Sequence, residues 1–227
     1  MLTNNLQLQY ENLKKEVACY RDKVLTLLPK DSREYDLYKG TAILYSELLY
    51  KPKFMFIGIN PGSGFYKHTG KKQTDDELEP NDCFEYIMAE EDGYDYLLAK
   101  QTRYIFCNTK YAEEFRKSVK TNVFYTSTDC SDDLNEFYTI LNEKYQLDMW
   151  QLSFKWTKQM IEIFQPEIII CEGVTVVYRL EDIFDCKLEK EGNIARGYVN
   201  GIKVIGYKRC RSNICDKDSV ISCINDL

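Results

Sequence analysis

The sequence predicts an α/β protein with three layers, α/β/α, around a central, mainly parallel four-stranded sheet. Three observations carry that prediction. Apolar runs of strand length recur near residues 53, 122, 167 and 202. Stretches with helical periodicity lie between them. Strands that alternate with helices pair in parallel, and helices then cover both faces of the sheet. The 227 residues suit one domain, residues 1–227, in which residues 1–50 form an N-terminal helical segment.

Each element has its own reason. Leu6, Tyr10, Leu13, Val17, Tyr20, Val24 and Leu28 recur at three- and four-residue steps, which makes an amphipathic helix that Pro29 stops. A second helix is expected over Glu34–Tyr50, with Gly40 as its weak point. Lys53–Ile59 is the first strand. Asn60–Pro80 is polar, rich in Gly and Lys, and long for a connection, a length usually associated with function. Helices are expected over Asn81–Glu91 and most of Tyr94–Lys120, with Asn108 as a candidate break. Asn122–Ser127 is short and β-rich, a second strand that begins at Asn122. Ser131-Asp132-Asp133 opens a helix, and Trp150–Phe164 is another, closed by Gln165-Pro166. Glu167–Cys171 is a continuous apolar run, the mark of a buried parallel strand. Gly173 leads into a short helix over Val174–Ile183. Lys187–Val199 forms an added ribbon, and Asn200-Gly201 is a hairpin signal. Ile202–Tyr207 is the last strand, and Asp216 caps a terminal helix that ends near Asp226.

Composition excludes several classes. The chain is 44% hydrophobic and 29% charged, which is globular rather than disordered. Met1–Lys15 lacks the apolar run of a secretory signal and no segment has membrane-spanning length, so a cytoplasmic location is expected. Nine cysteines contain no Cys-x-x-Cys pair and the chain has one histidine, so reduced thiols are expected rather than a zinc site or a disulfide framework. The net charge of −6 argues against sequence-blind nucleic-acid binding. Its distribution is uneven, however. Ten acidic residues and no Lys or Arg lie between Asp75 and Asp95, whereas Lys187–Arg211 carries seven basic residues against two acidic ones. A phosphate responds to that local field rather than to the net charge.

The most specific motif is Phe54-Met55-Phe56-Ile57-Gly58-Ile59-Asn60-Pro61-Gly62. An apolar strand ends in a turn at the rim of the sheet, where open α/β folds bind ligands. Gly58 and Gly62 would allow backbone angles or close approaches that a Cβ blocks. Pro61 keeps Asn60 out of the helical region, so one amide is mounted rigidly at the strand mouth. Asn-Pro and Pro-Gly are also ordinary turn signals. The run to Gly64 is neither a P-loop nor a dinucleotide-binding turn, which ranks a generic nucleotide-binding enzyme last.

Three segments fall in order at strand ends: Gly58-Ile59-Asn60-Pro61-Gly62, Thr121-Asn122, and Lys208-Arg209-Cys210-Arg211-Ser212-Asn213. With Thr69-Gly70, and with Met160–Cys171 followed by Gly173, this order resembles the uracil-DNA glycosylase superfamily. The likeness is to the branch with Gly-Met-Asn-Pro-Gly or Gly-Ile-Asn-Pro-Gly, the single-strand-selective and mismatch-type enzymes. It covers roughly Lys53–Leu227.

The resemblance implies a DNA glycosylase of uracil-DNA glycosylase-like fold. Such an enzyme flips uracil or a modified base out of DNA for base-excision repair or for action on foreign DNA, and it uses water, with no metal and no cofactor. Asn60 would orient that water by position, since an amide has no useful pKa. Gly58, Ile59, Pro61 and Gly62 would wall the pocket, and Phe65 or Tyr66 would stack on the base. Asn122 would read the base edge with its donor and acceptor. The usual His-Pro-Ser of the last motif is absent. Arg209 is the preferred cation for the leaving base, with Arg211 or Lys208 as substitutes, while Lys208, Arg211 and Ser212 would contact phosphate. The one histidine, His68, follows the first motif. The missing motif histidine supports a rival reading, a lapsed member that binds a nucleobase, nucleotide or DNA without turnover.

Overall fold

The computed structural model describes residues 2–62, 78–93 and 95–227. Phe65, Tyr66, His68 and Thr69-Gly70 lie outside the described residues. In chain order the helices are α1 (Leu2–Leu27), α2 (Arg33–Leu37), α3 (Glu85–Glu91), α4 (Leu97–Cys107), α5 (Ala112–Arg116), α6 (Ser131–Tyr145), α7 (Met149–Phe164), α8 (Val174–Phe184) and α9 (Lys217–Asn225). The strands are β1 (Phe54–Gly58), β2 (Val119–Asn122), β3 (Ile168–Cys171), β4 (Glu189–Glu191), β5 (Ile194–Val199), β6 (Ile202–Tyr207), β7 (Arg209–Cys210) and β8 (Asn213–Ile214). The chain divides into two compact units, one of residues 1–44, 60–80 and 122–163, the other of residues 45–59, 81–121 and 164–227.

The second unit holds the sheet, in the order β2-β1-β3-β6-β5-β4. It is a mixed sheet of six strands, which corrects the expected four-stranded, mainly parallel one. β1, β3 and β6 are parallel neighbours, as their apolar runs require. The two additions come from the 187–199 ribbon. Asn200 and Gly201, both at positive φ, turn β5 back antiparallel on β6. Gly192 does the same between β4 and β5.

Strand alternation sorts the core. Phe54, Phe56, Ile168, Ile170, Ile205 and Tyr207 share one buried cluster with Tyr86 of α3, Phe106 of α4, Phe115 of α5 and Ile224 of α9. α8 covers the opposite face. Gly206 lets it approach, because a Cβ there would collide with Val177 of α8 and sit 3.3 Å from the Cβ of Cys171. Among the described residues no helix is long and apolar enough to cross a membrane.

The first unit is built on α1, α2, α6 and α7. Tyr125 stacks on Trp156 with ring centroids 5.9 Å apart, and Thr157 of α7 donates to the Val123 carbonyl. Two expected elements are corrected here. The helix expected over Glu34–Tyr50 stops at Leu37, because Gly40 at φ 131 leaves the helical region. Residues 39–42 instead run extended beside 125–127, with Ala42 N–H donating to Tyr125 and Ser127 N–H to Gly40. That exchange also accounts for the second strand. Its sheet-forming part is Val119–Asn122, whereas Val123–Thr128 directs hydrogen bonds to residues 39–42 and to the turn after β1. Asn122 therefore ends its strand rather than beginning it.

Candidate functional site

The carboxyl ends of β1, β3 and β6 lie on one edge of the sheet, since the three strands are parallel and in register. Gly58 ends β1, Glu172-Gly173 follows β3, and Lys208-Arg209 follows β6. This is the edge at which open α/β sheets receive ligands.

Beyond Gly58 the half-buried Asn60 is anchored by its amide nitrogen. Nδ2 donates to Oγ1 of Thr128 at 3.0 Å and to the carbonyls of Pro61 at 3.2 Å and Thr126 at 3.4 Å. Two carbonyl acceptors fix which end of the amide is nitrogen. The same segment holds the turn from the other side. Thr128 N–H donates to Pro61, Gly62 pairs with Thr128, and the Thr128 hydroxyl passes its proton to Cys130 at 2.7 Å. With Nδ2 committed, Oδ1 takes no hydrogen bond among the described residues, and an acceptor is presented in a set direction. The rigidity comes from the 126–130 segment as much as from Pro61. Neither Gly58 nor Gly62 has a positive φ, and nothing among the described residues lies within 4 Å of a Cβ built at Gly62. The reason assigned to those glycines is thus corrected for Gly62. Ile59 is half-buried, Pro61 is buried, and Asn122 is buried at the end of β2.

The last motif is a small hairpin, β7–β8, with Arg211-Ser212 at its tip and Arg211 at φ 54. Gln101 of α4 holds it, donating to the Asn213 side chain at 2.9 Å and accepting from Ile214 N–H at 2.7 Å. Lys208, Arg211 and Ser212 are exposed. Arg209 is half-buried, and its side chain lies across Gly173. A Cβ on Gly173 would stand 3.2 Å from Nε and 3.4 Å from Cγ of Arg209. Gly173, at φ 122, is the glycine at this edge that both its backbone and its neighbour require.

One buried group was not singled out from the sequence. Glu172 is 2% exposed and accepts hydrogen bonds from the hydroxyls of Tyr86 and, at 3.5 Å, Tyr207. Burial, and next the Glu172 carboxylate, push both phenols well above their ordinary range, so they remain neutral donors at pH 7. The Arg209 guanidinium acts on Tyr207 in the opposite sense. Beside them Lys120 pairs with Glu85 at 2.6 Å and lies over the rings of Tyr45 and Tyr86. The available signal was a carboxylate and a glycine directly after an apolar parallel strand, the place where such sheets bind ligands.

No protein-family model matches the chain, and no curated protein matches it. All nine cysteines are free thiols, and among the described residues no cluster of His, Cys, Asp and Glu is arranged to hold a metal ion.

Proposed function

We propose that this chain is a DNA glycosylase-like hydrolase of uracil-DNA glycosylase-like fold, acting on uracil or a modified base flipped out of DNA. The observation that carries the reading is the anchored amide of Asn60. Its nitrogen is bound on one side, which sets the direction of its oxygen just past the carboxyl end of β1. The placement of Gly58 and Lys208-Arg209 at one sheet edge supports the same reading.

The reaction is simple in its balance. Water adds to C1′ of the sugar, the C1′–N bond breaks with its electrons leaving on the base, and the proton lost by water ends on the base or in solvent. Asn60 Oδ1 accepts a hydrogen bond from the water and so aims its lone pair. That is a positioning effect, and positioning of this kind is worth several kcal/mol. Arg209 supplies positive charge for the departing anion. Asn122 reads the base edge. Lys208, Arg211 and Ser212, exposed on or beside the β7–β8 hairpin, contact phosphate.

The test is incubation with single- and double-stranded oligonucleotides containing uracil, hypoxanthine, or hydroxymethyl- or glycosyl-modified bases, followed by alkali. Scission that Asn60→Ala abolishes supports the assignment. No scission across the panel, with salt-dependent DNA binding retained, replaces it with the lapsed binder, which the missing motif histidine favours. Absence of both excludes DNA as the partner.

A further inference from the structure

Acid-free sequence is scarce in this chain, and two stretches of it meet in the fold. Asp and Glu make up 36 of the 227 residues, yet none occurs in residues 96–112 or in residues 192–215. The first stretch contains α4, with Lys100 and Arg103. The second ends in the β7–β8 hairpin, with Lys208, Arg209 and Arg211 in or beside it. Gln101 of α4 joins them, since the two ends of its amide hold Asn213 and Ile214 of β8. Both stretches belong to the same compact unit. The first acid after the hairpin, Asp216, is engaged as the cap of α9, accepting from Ser219 N–H.

The outer face of α4 leaves apolar surface in solvent beside that hairpin. Leu98, Ala99, Thr102, Ile105 and Phe106 are buried. Leu97, Lys100 and Tyr104 are exposed on the opposite stripe. Gln101 borders the stripe, four residues after Leu97 and three before Tyr104, so both are its neighbours on the helix surface. Tyr104 is 55% exposed. Other exposed tyrosines lie under cations, Tyr178 beneath the Lys190 ammonium and Tyr50 beneath that of Lys51. The Tyr104 ring has no such cover among the described residues. An open ring next to a cationic hairpin suits one class of partner. The cations attract a phosphate chain, and an unpaired base offers its π-face to the ring.

We propose that the exposed stripe of α4 and the β7–β8 hairpin form one binding surface for single-stranded DNA. Tyr104 stacks on an unpaired base, and Lys100, with Lys208 and Arg211, takes the neighbouring phosphates. A duplex keeps its bases stacked on one another and gives the ring no partner. The surface therefore favours a substrate base that lies in a single-stranded tract.

The inference rests on the reading of DNA as the partner, but not on cleavage. The test is titration of the full chain, across a salt series, with labelled oligothymidylate and with a blunt duplex of equal length. Neither contains uracil or a modified base. Oligothymidylate should bind more tightly than duplex. Tyr104→Ala should weaken its binding by about 5- to 150-fold, the effect of removing one stacking ring, and should leave duplex binding unchanged. Tyr104→Phe keeps the ring and should bind like the native protein. Lys100→Gln should reduce the salt slope by about 0.7, the value for one phosphate contact on a single strand, and Tyr104→Ala should not change it. Native affinity in Tyr104→Ala overturns the proposal, as does duplex bound as tightly as oligothymidylate. Failure here is separable from failure of the glycosylase reading. Scission of uracil-containing DNA with native oligothymidylate affinity in Tyr104→Ala refutes this surface alone. Ring-dependent binding without scission of any substrate supports the surface and refutes the chemistry alone.

Discussion

Replacing Asn60 by aspartate, a change of one NH2 to one oxygen, probes the anchored amide most sharply. The three acceptors around Nδ2 share its two protons, at 3.0, 3.2 and 3.4 Å. Two of them are carbonyls that cannot turn into donors. The third, the Thr128 hydroxyl, could donate to the new carboxylate only by releasing Cys130, to which it now donates at 2.7 Å. Loss of two hydrogen bonds at a half-buried site costs roughly 1–2 kcal/mol, the expectation for Asn60→Ala. A carboxylate facing two carbonyl oxygens adds to this, so Asn60→Asp should cost about 2–3 kcal/mol at pH 7. For a chain of this size that lowers Tm by about 4–12 °C.

The pH dependence has a definite sign. The folded state disfavours the charged form, so the carboxyl introduced by Asn60→Asp titrates above its unfolded value of about 3.9. The extra destabilisation is full above the folded pKa and disappears as pH falls below the unfolded one. Urea unfolding of the native, Asn60→Ala and Asn60→Asp proteins between pH 4 and 8 reads this directly. Asn60→Asp should be the least stable at pH 7 and should converge on Asn60→Ala near pH 4. Equal stability of Asn60→Asp and the native protein at pH 7 would refute the anchoring of Nδ2, and with it the direction assigned to Oδ1.

Three further outcomes are expected. The Lys144 ammonium, with its own backbone N–H and the Tyr145 hydroxyl, holds the buried Glu34 carboxyl down to about 2. That stability is present above about pH 4.5 and is lost as pH falls towards 2. It amounts to about 1–2 kcal/mol after screening at the half-exposed Lys144, and Glu34→Gln should flatten this part of the stability–pH curve. Gly206→Ala should cost about 1–3 kcal/mol in chemical denaturation, because its methyl group meets Val177 and Cys171 where α8 crosses the sheet. Arg211→Gly should leave stability unchanged or raise it by up to about 1 kcal/mol, since φ 54 disfavours arginine. The same change should reduce the salt slope of DNA binding by about one. A loss of stability with an unchanged slope would place Arg211 in the fold rather than against phosphate.

The sheet was legible in the sequence where burial on both faces writes a continuous apolar run. Phe54–Gly58, Ile168–Cys171 and Ile202–Tyr207 are strands within a residue or two of their expected bounds. Local chemistry also read well. Asp216 caps the last helix through the Ser219 N–H, and Asn200-Gly201 makes its hairpin. The failures have one cause, pairing between distant segments. The helical pattern of Glu34–Tyr50 ends at Leu37, ahead of the weak point at Gly40, and Thr41 and Ala42 then find partners near Thr126, a pairing that no local signal announces. The ribbon was foreseen as an addition, but its membership of the central sheet depends on the β5–β6 register. At the proposed site, residue type singles out Asn60 and Arg209 but not Glu172, whose hydrogen bonds come from Tyr86 and Tyr207, 86 and 35 residues away.

Alkali-revealed strand scission of uracil-containing oligonucleotides, measured side by side for the native protein and Asn60→Ala, tests the central claim most directly. The account predicts cleavage at the uracil by the native protein and a loss of about 100-fold or more in Asn60→Ala, the scale of a misplaced nucleophile, with DNA affinity little changed. Cleavage that survives Asn60→Ala would contradict the role given to the anchored amide.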